Sequence, residues 1–486
     1  MTSNGKIELT NTQTPRRASI YNSILQYLQE LATIIAEKAN YENLQDIDSL
    51  AAELEKDCKD VARRMLKEII EEVNLSIRED KRGRKEAGLY MHEKDRDRSL
   101  YTALGSIEFK RDYYKEKEGG YLYPLDEFLG IKARARIGSE VLARLAMKAV
   151  HMSYAMSSKE VTCGEVSRQS VHKLIRSMPI LEKEGPEKKR TVRELHIYAD
   201  EDHVHLQKPG KEKGKRSQIV PLVTVTEGTV NISKGRRKTV NPMHFVDENF
   251  DSKRLWTSVD GYIQSTYETD AIERICIHGD GGKWIQNGLD GYPQTIHVID
   301  QWHFEKALKA LSAKYPKKSL RTRIHAAVKA EDHVKAEHIL SDLAENETDA
   351  KKLDAIEDFR TYLIGNWAAI KHRLNGDYPG SCTEGQVSHV LSDRFSRDPL
   401  GWSEKNLGKL TKLRTYVLNG GEVHAKDMKG ESPVSSINYA DRMEKLLKEK
   451  LDHPDFSMFE SEPLILDVSS GTQFDVRSLG MCRPLS

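Results

Sequence analysis

Twice in this chain a short apolar run stops on an aspartate. Leu195-His196-Ile197-Tyr198-Ala199 leads into Asp200-Glu201-Asp202, and Arg274-Ile275-Cys276-Ile277-His278-Gly279 leads into Asp280-Gly281-Gly282. Alternation at Leu195, Ile197 and Ala199, resumed at Val204 and Leu206, has the period of a strand. Ile219 to Val225 reads as a second strand and Met243 to Val246 as a third. Gln294-Thr295-Ile296-His297-Val298-Ile299-Asp300 is a further strand that enters a helix. Strands alternating with helices predict an α/β sheet, whose sites lie beyond the strand C-termini. A single Asp there is ordinarily a helix N-cap. Two in one small sheet, both behind buried runs, move the expectation toward a metal site.

Residues 304–374 carry only helical periodicity, at Phe304, Leu308 and Leu311, at Ile324 and Val328, at Ile339 and Leu343, and at Phe359, Leu363 and Ile370. The next segment, Cys382 to Arg394, predicts a helix capped by Thr383. Glu384, Val387, Ser388 and Leu391 then share one face. A carboxylate on an inward stripe is costly unless it is paired or binds a cation. First-turn capping is the alternative.

Before the sheet the chain changes character three times. Residues 1–77 predict a helical bundle, with apolar steps at Ile20, Ile24 and Leu28 and again at Val61, Met65 and Ile69. Residues 78–137 hold a charge-dense stretch and one or two β-hairpins; 78–115 contain eleven Lys/Arg and eight Asp/Glu. Basic groups interleaved with Tyr113, Tyr114, Tyr121 and Tyr123 suit phosphates and bases, although a solvated hairpin has the same pattern. Residues 138–190 contain two helices around Gly164 and then a linker. Ser167 is placed to cap the second helix, and Arg168, Gln169 and His172 project from its start. That is the form of a DNA-reading helix-turn-helix or of an ordinary helical hairpin.

Charge narrows the choice of partners. The chain has 76 Lys+Arg against 75 Asp+Glu, so a uniformly basic coat is excluded and any polyanion site is a local patch. Two patches stand out. Residues 208–216 hold five Lys/Arg, including Lys213, Lys215 and Arg216, and 234–238 hold four, including Arg236 and Arg237. The five cysteines are widely spaced with no CxxC, which fits a reducing cytosol rather than a disulfide scaffold. No run reaches the roughly 18 apolar residues of a membrane span, and the N-terminus lacks an apolar signal core. The expected location is cytoplasmic, nucleoid-associated when bound to DNA.

Four motifs carry a family resemblance: Ala199-Asp200-Glu201-Asp202-His203-Val204, His278-Gly279-Asp280-Gly281, Asp300-Gln301-Trp302-His303, and Glu384-Gly385-Gln386-Val387-Ser388-His389-Val390-Leu391-Ser392 with Pro399-Leu400-Gly401-Trp402-Ser403. From about residue 20 to 425 the chain resembles insertion-sequence DDE transposases of the Lre type and, more distantly, Mutator-like bacterial transposases. The resemblance implies an α/β RNase H-like catalytic core (191–303 and 375–425) with a helical insertion (304–374). A mainly α N-terminal DNA-binding region precedes it and a C-terminal tail (426–486) follows. It implies a catalytic and metal-binding triad of Asp200, Asp280 and Glu384, with Asp202 the close competitor for the first acid and Asp300 and His303 as auxiliary residues.

Three carboxylates without a Cys/His cage suit hard cations, so the implied cofactor is Mg²⁺, with Mn²⁺ as a substitute. Two such ions about 3.5–4 Å apart activate the attacking oxygen and neutralise charge on the leaving one. Lys283 and the two basic loops are expected to hold phosphates. Trp284, Trp302 and Trp402 are expected in the core first and as base-stacking faces second. The implied partners are double-stranded DNA, as terminal inverted repeats and target, and further copies of the chain on that DNA. An RNase H-like nuclease that only hydrolyses and a catalytically inactive DNA-binding relative are the competing classes.

Overall fold

The structure is a computed structural model that describes residues 17–38, 46–183, 185–207, 217–233, 236–316, 319–372, 382–398 and 401–429. It comprises two compact units, one drawn from Met1–Ala143 and His424–Ser486, the other from Arg144–Val423. Most of the 426–486 tail lies outside the described residues.

In the first unit, helices Arg17–Lys38 and Ile47–Glu79 pack together. Tyr27 donates to Glu68 at 2.6 Å, and Arg64 to Glu30 at 2.8 and 2.9 Å. Ile70, Val73 and Ile77 of the long helix share a core with Leu89, Leu100, Ile107, Phe109 and Tyr114. These belong to a three-stranded antiparallel sheet of β1 (Leu89–Thr102), β2 (Gly105–Glu116) and β3 (Tyr121–Leu122). Both glycine turns expected from the sequence are present. β1 also reaches back through the charge-dense stretch, where side chains are exposed on both faces and leave no alternation to read. Its charges are tied down locally. Asp112, fully buried, accepts from Arg78 Nε and Nη2 at 2.7 and 2.6 Å.

The second unit is built on a five-stranded sheet of β4 (Glu194–His205), β5 (Ser217–Thr226), β8 (Met243–Phe245), β9 (Arg274–Gly279) and β10 (Thr295–Ile299). β6 (Thr229–Ser233) and β7 (Arg236–Thr239) form a separate ribbon. The sheet order is β10-β9-β4-β5-β8. β5 runs antiparallel to both neighbours, while β4, β9 and β10 are parallel. Period-2 alternation divides the sheet into two faces. Leu195, Ile197, Ala199, Val223, Val225, Ile275 and Ile277 pack against Leu255, Val259 and Ile263 of helix Ser252–Thr266. The opposite face is polar and still buried, with His196, Tyr198, Asp200, Thr224, Thr226 and His278 in register across the strands.

Residues after β10 are helical, as the periodicity predicts. Helices Gln301–Ala313, Leu320–Lys329, His333–Glu345, Ala350–Gly365 and Trp367–His372 enclose their own core of Phe304, Leu308, Ile324, Leu340, Leu363 and Ile370. The chain then returns as helix Thr383–Val387, a π-helical turn Ser388–Ser392, a short turn Asp393–Phe395 and helix Glu404–Leu418. The last helix passes close under the segment after β8. A Cβ on Gly408 would lie 1.9 Å from the Glu248 carbonyl oxygen. Gly408→Ala must therefore separate two backbones, at a cost of about 3 kcal/mol, read as a lowered denaturant midpoint with the slope unchanged. An unchanged midpoint would refute that close approach.

Candidate metal and nucleic-acid site

The parallel pairing of β4 with β9 runs from Glu194↔Arg274 to Tyr198↔His278. Two residues further on, each strand carries an aspartate, Asp200 and Asp280. The strands need to be close here, and Gly279 permits it, because a Cβ there would lie 2.9 Å from the Ala199 carbonyl oxygen. β4 does not end at Asp200, as the sequence suggests, but continues to His205 on β5, with Asp200 opposite Leu222 and Asp202 opposite Val220. What ends there is its parallel neighbour.

Neither aspartate is a helix cap. Asp200 accepts from the Glu201 amide at 2.9 Å, and Asp280 from the Gly282 amide at 2.8 Å in a turn that Gly281 makes with φ +90°. Asn366, at the end of the helical block, occupies the space a Cβ on Gly281 would need. Helix Thr383–Val387 lies against β4 and brings the third acid. Glu384 is exposed there, while Thr383, Val387, Val390 and Leu391 are buried, so it is not on the inward stripe. Cys382 rather than Thr383 stands at the N-cap. A helix that turns Glu384 outward aims it at the strand ends instead of the core.

These groups act on one another electrostatically, although among the described residues the oxygens of Asp200, Asp280 and Glu384 do not all lie within 4.8 Å of one another. Asp200 is held up at about 6 by burial, and the charges of Asp280 and Glu384 add to the rise while His303 opposes it. Among the described residues no Lys or Arg pairs with any of the three carboxylates. Glu201, on the other strand face, is also raised, by burial first and by Asp280 second. A cluster of acids without a basic partner suits a hard divalent cation. The donors Asp200, Asp280 and Glu384 are oxygen ligands of the right chemistry.

Asp202 has a different role. Its carboxylate accepts from Ser396 Oγ at 2.8 Å, Ser392 Oγ at 3.2 Å and the His203 amide at 2.9 Å. It ties β4 to the far end of the segment that begins with Glu384. The π-helical turn between them is clamped by the buried Arg414, whose guanidinium donates to the carbonyls of His389, Val390 and Val150. Asp300 caps helix Gln301–Ala313 through the Trp302 amide at 2.6 Å, and His303 Nδ1 lies 4.0 Å from its carboxylate. Ser396, Arg414 and Asn366 carry no motif signal of their own. They matter only through contacts between segments remote in sequence.

The expected DNA-facing residues are dispersed. Arg168, Gln169, Arg237 and Lys283 are exposed, and His172 is half-buried with its ring against Tyr154. Ser167 caps helix Arg168–Ser177 by accepting from Ser170 N, after a left-handed turn at Cys163 and Gly164. Lys213, Lys215, Arg216 and the Arg236 side chain lie outside the described residues. Trp402 is in the core and Trp284 partly so, whereas Trp302 is 46% exposed, against the first expectation for it.

A second group of donors sits at the opening end of β4 and β9. Ligand atoms of Glu194, His196 and Cys276 lie within 4.8 Å of one another. Arg274 already holds the Glu194 carboxylate at 2.7 and 2.9 Å, and burial pushes the Cys276 thiol up to about 12. His196 Nδ1 is hydrogen-bonded to His278 Nε2 at 3.0 Å. These donors satisfy one another.

With these features in place, the chain belongs to the family described as "Uncharacterised protein family (UPF0236)", whose sequence model matches residues 40–432. It is similar to a UPF0236 protein of Caldanaerobacter subterraneus subsp. tengcongensis, 33% identical over 447 residues that cover 89% of this chain and 88% of the relative. Another relative from that organism is 32% identical over 433 residues, covering 88% of this chain and 90% of its own, under a name that joins eleven locus designations. A Streptococcus gallolyticus protein named for the vanSb 3′ region is 26% identical over 342 residues, 66% of this chain and 73% of its own. Among the described residues no helix is long and apolar enough to cross a membrane.

Two predictions follow from the cluster. Asp200 has a folded pKa of about 6 against an ordinary 3.8, so ionising it opposes folding. Below about pH 4 it is protonated in both states and costs nothing. The cost grows between pH 4 and 6 and stays at about 3 kcal/mol above that. In metal-free protein Asp200→Asn should therefore melt higher than wild type at pH 7.5, with the difference gone near pH 4, and Mn²⁺ should narrow it at pH 7.5. An equal melt at both pH values would remove the cluster. Asp202→Asn, by contrast, keeps acceptor oxygen and should melt within a few degrees of wild type, whereas Asp202→Ala leaves Ser392 and Ser396 without their acceptor and should cost about 1–3 kcal/mol.

Proposed function

We propose that the protein is a DDE transposase that cuts DNA strands at the ends of a mobile element and joins the freed 3′-hydroxyls to target DNA. The observation that carries this reading is that Asp280 and Glu384 lie within electrostatic range of the buried Asp200, with no Lys or Arg paired to any of the three among the described residues. The sheet supports an RNase H-like core. It has five strands, one of them antiparallel to the rest, with the first two acids at adjacent strand ends and a helical block between the second and third.

Asp200, Asp280 and Glu384 would hold Mg²⁺ or Mn²⁺, which when bound activates the attacking oxygen and neutralises charge on the phosphorus and leaving oxygen. Asp200 is the acid on which the charges of both others act, so it would be the central one of the set that holds the ion. His303, within electrostatic range of Asp200 and near the start of the helix that Asp300 caps, is a group suited to carry a proton. The helix pair 154–177, with Arg168 and Gln169 exposed at the start of its second helix, is suited to reading element ends.

A hydrolytic nuclease would use the same acids. Two observations favour transposition over it. One is the helix pair, which simple hydrolysis does not call for. The other is the relative whose name joins eleven locus designations, the multiplicity of a sequence that copies itself about a genome.

The test is strand cleavage and joining on DNA bearing the repeats that flank the coding region. Asp200→Asn, Asp280→Asn and Glu384→Gln should each lose at least about a thousandfold of Mg²⁺-dependent activity while still binding the DNA. Calcium should support binding without chemistry, since its looser shell does not impose octahedral geometry. Full activity in all three variants would end the proposal, and hydrolysis without joining would favour the nuclease. Arg168→Ala should weaken binding to the repeats and relax their specificity.

A further inference from the structure

A groove of about 1230 Å³ opens between helix Ser252–Thr266 and residues 283–292. Its floor is one face of that helix, from Ser252 through Trp256 and Asp260 to Gln264. At 1.5 Å per residue this is a track about 18 Å long. One end joins the Asp280 turn through the chain. Lys283 and Trp284 open the helix that follows that turn, and Trp256 Nε1 donates to the Trp284 carbonyl at 2.8 Å. Farther along the helix, Tyr292 donates to Asp260 at 2.6 Å, and Lys189 and Thr269 line the groove near the helix end.

The chemistry of the lining is that of a polyanion track. Lys189, Lys253 and Lys283 are exposed, and among the described residues none forms an ion pair with a carboxylate. Of the acids present, Asp260 is already the acceptor for Tyr292 and Gln264, and Asp290 lies within reach of His297. Indole and phenol rings between the ammonium groups add faces for bases. Lysines that track a backbone, with aromatic rings between them, are the usual means of holding a single strand.

We propose that this groove holds a single DNA strand leading away from the acid cluster, its phosphates on Lys189, Lys253 and Lys283 and its bases on Trp284 and Tyr292. The inference rests on the reading of the acids as a DNA-cutting site and adds the path of the strand.

The experiment is fluorescence anisotropy of the full chain with a labelled single-stranded DNA, over a salt series in calcium. Lys189→Ala/Lys253→Ala/Lys283→Ala should reduce the slope of log K against log salt by about 2, from three contacts at about 0.7 each, with the thermal melt unchanged. A control triple on the helical block, Lys329→Ala/Lys335→Ala/Lys351→Ala, should leave the slope as it is. An unchanged slope in the groove variant, or an equal change in the control, overturns the groove. Tighter binding of the same sequence as RNA overturns its assignment to DNA. Cleavage assays on the same preparations separate the two readings. Wild-type protein that cuts DNA while the groove variant binds undiminished loses the groove alone. Protein that needs the groove lysines to bind but cuts nothing with Mg²⁺ or Mn²⁺ loses the cutting site and keeps the groove.

Discussion

Like charges held close together in a partly dry site oppose folding, and the second unit is organised around doing so. Parallel pairing of β4 with β9 sets Asp200 and Asp280 at neighbouring positions, and Gly279 lets the strands approach closely enough for it. The returning helix adds Glu384. Burial and the two neighbours hold Asp200 protonated well above the usual range. His303 is the basic group that offsets part of this, and among the described residues no Lys or Arg is paired with the three acids. The surrounding polar contacts serve to keep the acids where repulsion would move them.

Those contacts come from several directions. Asn366 backs the Asp280 turn, Asp300 fixes the start of the helix that carries His303, and Asp202 with Ser392 and Ser396 ties β4 to the segment behind Glu384. Arg414 is the strongest of them. A buried guanidinium that meets three carbonyls and no carboxylate satisfies two backbone oxygens of the π-helical turn, those of His389 and Val390, and joins them to Val150. Burial lowers its pKa, yet it stays charged, since arginine does not lose its proton in proteins.

The sheet strands were legible in the sequence because their alternation reports burial on one face, and the helical block because its apolar steps report a closed core. The acids were legible as strand-end aspartates, but their grouping was not, since it depends on which strands pair and in which direction. β1 was illegible for the opposite reason. A strand exposed on both faces gives no alternation, and its pairing is held by charges such as Arg78 with Asp112, which sequence periodicity does not register. Glu384 was expected on the inward stripe of its helix and is exposed instead. The helical face counted from Val387 and Leu391 assumed a regular helix, and the π-helical turn that follows changes the faces beyond it.

That turn also has a genetic consequence. A π-helical turn accommodates one residue more than an α-helical turn over the same length. Loss of one codon within Ser388–Ser392 would let the segment relax to an ordinary helix. Because the residue removed is the extra one, the turns on either side would keep their facing relative to the Arg414 anchor. Loss of one codon between Glu384 and Val387, in the regular helix before the turn, would instead swing Glu384 by about 100° about the helix axis. Within one short segment, the same in-frame deletion is mild at one place and severe a few codons earlier.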